Sequence, residues 1–489
     1  MDDYNQINLT IDWNQLIIDY QKKYSNYRVA EKKKSYQLFP QGTPQIPASI
    51  KLRDYQQEAV INWFKNKGRG TLKMATGSGK TITALAIATE LYEKIKLQVL
   101  IVVCPYRHLV IQWERECRKF NLNPILAFER VDNWQSQLST ELYNIQCQQK
   151  PFLTIITTNS TLINQGFQSQ VKFFPEKTLI IGDEAHHLGS PRLESRLPRN
   201  IGLRLALSAT PERYFDEEGT DALLTYFGDI IKPEFTLADA IKKQALVPYL
   251  YYPIFVNLTE SEAFTYAKLT QRIGWALGKN DNIKNNDNLT SLLIQRSRLI
   301  GTAENKLNAL RELMETRLET KYTLFYCGDG YLENEPKNYQ KQIAAVTRIL
   351  GRELGYRVNT YTAENTLEER KKIREQLQKG DLQGVVSIRC LDEGIDIPEI
   401  EQAVILASSG NPHQFIQRRG RVLRPYPHKK QAIIYDMIVM PPNLDRETWE
   451  VERNLLRKEL KRFIEFGKIA KNAEEVKEKF LSIQEQYAL

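Results

Sequence analysis

Three short stretches of this chain carry residue types suited to phosphate chemistry. The first, Ala75-Thr76-Gly77-Ser78-Gly79-Lys80-Thr81, mixes glycines, hydroxyls and a single lysine. Glycine lets backbone N–H groups curl around phosphate oxygens, and a helix beginning at the lysine adds positive potential. In such a loop Thr76, Gly77, Ser78 and Gly79 cradle the phosphates, Lys80 reaches the β and γ groups, and the Thr81 hydroxyl ligates Mg2+. The second stretch, Ile180-Ile181-Gly182-Asp183-Glu184-Ala185-His186-His187, sets two carboxylates at the end of an apolar run. Adjacent carboxylates there are costly without a cation, so a hydrated Mg2+ is their natural partner. Asp183 would hold the metal through water, and Glu184 would polarise an attacking water. The third, Gln417-Arg418-Arg419-Gly420-Arg421-Val422-Leu423-Arg424, gathers four arginines around one glycine. A planar, permanently charged guanidinium can follow charge as it spreads over the oxygens of a transferring phosphoryl group.

Such residues need rigid elements to hold them. Val99–Cys104, Phe152–Thr157, Thr178–Gly182 and Arg204–Leu207 are short apolar runs with helical stretches between them. They predict buried parallel strands covered by helices on both faces. The same alternation resumes at Tyr322–Cys327, Arg357–Tyr361, Gly384–Ile388, Gln402–Leu406 and Gln431–Tyr435. The fold class is therefore α/β, with two tandem parallel-sheet domains. Residues 1–50 form an N-terminal extension, with a short helix near Trp13–Lys23 and an extended Pro/Gly linker at Phe39–Pro47. The first domain is placed at 51–256 and the second at 321–444. Between them, 257–320 reads as a helical insertion, helical at Glu260–Leu277 and Leu289–Leu318 around a polar run. The tail, 445–489, is helical as well. It reads as a helix packed on the second domain, with a nucleic-acid contact as the alternative.

Composition narrows the class. The 489 residues are 42% hydrophobic and 10% aromatic, as in ordinary globular proteins. No apolar run approaches a membrane span, and Met1-Asp2-Asp3-Tyr4-Asn5 lacks the basic and apolar regions of a signal peptide. A cytoplasmic protein is expected, nucleoid-associated in a prokaryote. Five scattered cysteines without a C-x-x-C pair argue against structural zinc, an iron–sulfur cluster or a disulfide framework. A net charge of +9 favours a polyanionic partner.

Together the three stretches resemble the motifs of superfamily 2 helicases and translocases, over about residues 51 to 440. The family implies two RecA-like domains that clamp one ATP, with Mg2+, between them. Met74 stands where the strict phosphate-loop pattern has glycine, which fits the helicase variant of the loop. Leu52-Arg53-Asp54-Tyr55-Gln56-Gln57 resembles the adenine-reading motif, with Arg53 and Gln56 at the base. Leu207-Ser208-Ala209-Thr210-Pro211 resembles the motif coupling hydrolysis to domain movement, to which His186 belongs by role. Glu393-Gly394-Ile395-Asp396 resembles the motif that brings Gly394 and Asp396 to the nucleotide. The same pattern makes Arg421 and Arg424 the arginine fingers and sets Gln417 on the γ-phosphate or its water. Pro105-Tyr106-Arg107, Gln112-Trp113, Thr158-Asn159 and Thr362 match strand-contacting motifs, whose hydroxyls and backbone N–H groups position a sugar-phosphate backbone without reading bases; Trp113 reads equally as a core ring.

Within the superfamily, Ala185-His186-His187 differs from DEAD-box enzymes and Arg421 from Swi/Snf-type remodellers. The large C-terminal modules of DEAH RNA helicases and the four cysteine ligands of XPD-like enzymes have no counterpart. What remains resembles the branch containing XPB and the motors of type I and III restriction systems, though Ile388-Arg389 replaces the usual Thr-Asp. The resemblance implies an ATP-dependent DNA helicase or translocase in repair, restriction or phage defence, working with separate nuclease or recognition subunits. A nucleotide-switched clamp that does not travel, and an RNA-directed helicase, are the alternatives.

Overall fold

The computed structural model describes residues 11–26, 40–213, 216–278, 287–328, 331–332, 340–362, 364–388, 397–407, 412–440 and 449–487. The chain divides into two compact units, Met1–Ala240 and Ile241–Leu489.

The first unit is built on a six-stranded parallel sheet. Its strands are β1 (Arg69–Lys73), β2 (Val99–Cys104), β3 (Ile125–Ala127), β4 (Leu153–Thr158), β5 (Thr178–Asp183) and β6 (Leu203–Ser208), in the order β1-β6-β5-β2-β4-β3. Strands β2, β4, β5 and β6 are buried along their whole length, as strands of a parallel sheet are when helices cover both faces. β1, Arg-Gly-Thr-Leu-Lys, lacks that apolar signature. It forms because its five residues pair with Arg204–Ser208 of β6, and because 229–235 runs along its other edge. Thr71 N–H donates to Asp229 O, and Ile231 N–H donates back to Thr71 O, which covers an otherwise open sheet edge.

The helix Trp13–Asn26 belongs to this unit. Trp13 packs edge-on to Trp63, Tyr20 meets Phe64, and Lys23 Nζ lies 2.7 Å from the buried Glu90. The N-terminal extension thus contributes to the first core, because its aromatic face covers the helix Asp54–Lys65.

The second unit has its own six-stranded parallel sheet. Here β7 (Tyr249–Asn257) joins β8 (Thr323–Cys327), β11 (Val358–Tyr361), β12 (Gly384–Ile388), β13 (Gln402–Ile405) and β14 (Ala432–Met440) in the order β11-β12-β8-β13-β14-β7. A short ribbon, β9 (Tyr331–Leu332) with β10 (Gln340–Lys341), stands apart. The boundary expected near residue 256 moves to Ala240/Ile241, because all nine residues of β7 pair with β14. Sequence placed β7 in the first domain since it precedes the helical insertion.

The insertion is not uniform. The helices Glu260–Gly278 and Asp287–Gly301 share a small core of Leu269, Ile273, Leu289 and Leu292. The third helix, Asn305–Glu315, instead sends Leu307, Leu310 and Met314 into the core beneath the second sheet. The tail forms two helices, Trp449–Gly467 and Ala473–Tyr487. Arg462 of the first is buried and lies 2.9 Å from the fully buried Asp436 of β14, which also accepts from Tyr251 Oη. Among the described residues, no helix is long and apolar enough to cross a membrane.

Candidate nucleotide and nucleic-acid site

Because the first sheet is parallel, β1, β6, β5, β2 and β4 all end on one edge. The phosphate loop follows β1, Ser208 closes β6, Asp183 closes β5, Pro105-Tyr106 follows β2 and Thr158 closes β4. In open α/β sheets this carboxyl edge is where ligands bind.

The loop turns between β1 and the helix Lys80–Ile95 through Gly77 (φ 85°) and Gly79 (φ 90°), left-handed values that favour glycine. A Cβ on Gly79 would come within 2.7 Å of Gln56 Nε2, so the residue is needed for close approach too. Lys80 is buried, and its Nζ donates to Met74 O at 3.1 Å. The Gln56 amide spans the Arg53 N–H, which donates to Oε1 at 3.0 Å, and Gly79 O, which accepts from Nε2 at 3.2 Å. Gln56 is therefore tied to the loop backbone.

Two further residues support the loop. Tyr55 Oη donates to Ser78 O at 2.6 Å, and its ring stacks on Phe235 with centroids 3.8 Å apart. Phe235 O in turn accepts from Ala75 N–H. Tyr55 stood inside a recognisable motif, whereas no local pattern marked Phe235, which lies 160 residues from Ala75 in sequence.

The paired carboxylates are held unequally. Asp183 is buried; its Oδ2 accepts from Trp113 Nε1 at 2.8 Å and its Oδ1 from Glu184 N–H at 3.0 Å. Burial first, then the neighbouring Glu184 charge, pushes the Asp183 carboxyl up to about 6, against the opposing pull of Trp113 and Lys80. Glu184 takes a left-handed backbone, φ 43°, a strained conformation of the kind that clusters at functional sites. Its Oε2 is buried without a hydrogen-bond partner, with His186 Nδ1 3.7 Å away. Thr76 Oγ1 is likewise buried and unpartnered. A buried hydroxyl oxygen and a buried carboxylate oxygen without partners, in the motifs that also carry the desolvated Asp183, are donors of the kind a hard divalent cation takes.

Trp113 requires a correction. Sequence assigned it to the nucleic-acid track with the core as an equal alternative, and the core reading holds: it is 1% exposed, with its indole N–H spent on Asp183. A ring so buried cannot stack on a base. Of its neighbours, Tyr106 and Arg107 are exposed, Arg107 pairing with Glu129 at 3.1 Å, while Gln112 is half-buried. Tyr106 also meets the His187 ring edge-on at 5.5 Å, joining the segment after β2 to the segment after β5.

Ser208 links the motifs. Its carbonyl accepts from Met74 N–H at 3.0 Å, its Oγ accepts from Thr210 N–H at 3.1 Å, and the same Oγ sits 3.3 Å from His186 Nδ1. Ala209 lies between these contacts. Arg213 reaches His186 O and pairs with Asp216 at 2.8 Å, a support that sequence did not single out. On the strand-contacting side, Thr158 Oγ1 accepts from Thr161 N–H and so caps the turn Asn159–Leu162, while Asn159 is buried.

In the second unit, Arg421 and Arg424 are half-buried at the end of the helix Pro412–Val422. Arg419 differs: it is buried, donates to Glu465 O and Tyr249 Oη, pairs with the Glu465 carboxylate at 2.8 Å and lies over the Phe466 ring. The helix end is held by Lys429, whose buried ammonium donates to Val422 O, Ile400 O and Pro398 O. Thr362 N–H donates to Asn365 Oδ1 at 2.7 Å at the end of β11. Gly394, Asp396 and the side chain of Gln417 lie outside the described residues.

A phosphate loop and an acid pair on one parallel-sheet edge, with an arginine helix on a second sheet, define a two-domain ATPase motor with RecA-like units. The chain belongs to the superfamily 2 helicases and translocases. Residues 49–213 match the family model described as "Type III restriction enzyme, res subunit", and 306–426 match "Helicase conserved C-terminal domain". The chain is 26% identical over 404 residues to the DNA 3'-5' translocase XPB2 of Sulfurisphaera tokodaii, covering 81% of this chain and 83% of that one. It is 23% identical over 390 residues to the DNA 3'-5' helicase XPB of Kineococcus radiotolerans, covering 79% of this chain but 59% of the relative. Among solved structures, the ATP-dependent Type ISP restriction-modification enzyme LlaBIII bound to DNA superposes with a TM-score of 0.56 at 18% identity. That match covers 87% of this chain and 31% of the other, and it supports the shared fold.

Proposed function

We propose that the protein is an ATP-dependent DNA translocase or helicase, moving 3′ to 5′ along one strand. The observation that carries this is the single sheet edge holding the phosphate loop, the Asp183–Glu184 pair and the segments after β2 and β4. Chemistry and strand contact thus share one rigid frame.

Lys80, now donating to Met74 O, is placed to exchange that carbonyl for β- and γ-phosphate oxygens. Glu184, with an unpartnered buried oxygen, is placed to orient and deprotonate a water. Mg2+ held through Thr81 and Asp183 would neutralise phosphate charge. Arg421 and Arg424 are assigned to the γ-phosphate, with Gln417, Gly394 and Asp396 as further nucleotide contacts. Glu184 Oε2 lies 3.7 Å from His186 Nδ1, and the hydrogen bonds from His186 to Ser208 and from Met74 N–H to Ser208 O would carry a change there to the phosphate loop. Tyr106, Arg107, Thr158, Asn159 and Thr362 are assigned to the strand.

The test compares ATP turnover of the wild type with DNA, with RNA and with neither. DNA should raise turnover most, and Lys80→Ala and Glu184→Gln should abolish it. Stimulation by RNA alone, or normal turnover in either variant, would refute the proposal.

A further inference from the structure

Beside the strand-contacting segment lies a groove of about 500 Å3, lined by Ser160, Ile163, Asn164, Arg192, Ser195 and Arg196. One wall follows β4 and the other follows β5 and its acid pair. Both are anchored in the same core, through Leu162 and Leu197. They are also stapled together: the Gln168 amide donates to Leu162 O at 2.7 Å and to Arg196 O at 3.0 Å. The groove is thus a fixed feature of the first unit.

Its charge is unbalanced. Arg192 and Arg196 are both exposed, and among the described residues neither is within ion-pair distance of a carboxylate. The nearest acid in sequence, Glu194, is occupied by Arg199. Arg192 lies in the turn Pro191–Glu194 and Arg196 just beyond it, so two positive charges line one groove, which favours an anionic occupant. Guanidinium forks matched with Ser and Asn groups recognise phosphate oxygens, and Ile163 offers an apolar surface to a sugar.

We propose that this groove binds the phosphodiester backbone of a DNA single strand, extending the track beyond Thr158-Asn159. This rests on the DNA-motor function above. Each single-strand phosphate contact adds about 0.7 to the slope of log K against log salt. Two contacts predict a slope reduced by about 1.4, and at roughly 0.1 M salt a binding loss of about 25-fold.

The experiment measures fluorescence anisotropy of labelled oligothymidylate with the full chain across a salt series. Arg192→Ala/Arg196→Ala should lower the slope by about 1.4, whereas Arg192→Lys/Arg196→Lys, which keeps both charges, should retain it. Thermal melts confirm that both variants fold. A slope equal to wild type in the alanine variant, or a loss seen only with oligouridylate, would overturn the groove assignment. Wild-type protein that neither binds DNA nor shows DNA-stimulated turnover would overturn the parent function instead, so the two failures are distinguishable.

Discussion

Replacing Trp113 with phenylalanine separates the two roles this residue could have. The substitution keeps an aromatic ring in a site only 1% exposed but removes the N–H that Asp183 Oδ2 accepts at 2.8 Å. Asp183 would be left with one hydrogen bond, from the Glu184 backbone. A hydrogen bond to a charged group contributes about 1.5–3 kcal/mol, and here it acts on a carboxyl already pushed up to about 6 by burial. If that sum falls on the hydrolytic step, kcat for DNA-stimulated ATP turnover drops by about 10- to 150-fold. The DNA concentration giving half-maximal stimulation stays the same, since a buried indole touches no strand. The assay is steady-state ATPase with DNA titrated at saturating ATP. An unchanged kcat with a higher DNA requirement would show that Trp113 serves the strand after all and refute the assignment to Asp183.

Three other outcomes follow from residues that sequence grouped together or overlooked. Arg421→Ala should bind a fluorescent ATP analogue normally yet lose at least about 1,000-fold in turnover, as removal of an arginine finger does. Arg419→Ala should instead destabilise the second unit by about 2 kcal/mol in chemical denaturation, since it loses a buried guanidinium whose partner Glu465 is half exposed. Lys306→Met should stabilise that unit. Burial, opposed by Glu459, Asp436 and Glu262, holds the Lys306 ammonium down to about 8 from its ordinary 10.5, with Arg462 adding to the depression. The cost is full below pH 8 and is relieved as pH rises from 8 towards 10.5, where the folded state releases its proton first. The variant should gain on the order of 2 kcal/mol at pH 7, after subtracting the bond to Ile300 O, and should lack the wild type's gain between pH 8 and 10.

Much of the frame was legible because it depends on local pattern. β2, β4 and β5 are rich in β-branched residues and β6 in leucine, and the glycines of the loop announce a left-handed backbone. What sequence missed is non-local. β1 has no apolar signature and exists through its pairing with β6, so propensity alone passes over it. β7 looked like the end of the first domain because chain order cannot show that its partner is β14, far downstream. The same holds within the site. The types and spacing of Lys80, Asp183 and Glu184 single them out as candidates, whereas Phe235, Lys429 and Arg213 act by contacts that no short window contains. Trp113 misled for a related reason: an aromatic beside a strand-contacting motif can face either the strand or the core, and only burial decides.

Triplex displacement tests the central claim most directly, because stripping a third strand requires travel along the duplex as well as hydrolysis. The wild type with ATP should release the third strand, and Lys80→Ala or a non-hydrolysable ATP analogue should release none. DNA-stimulated hydrolysis with no displacement would contradict translocation and leave a nucleotide-switched clamp.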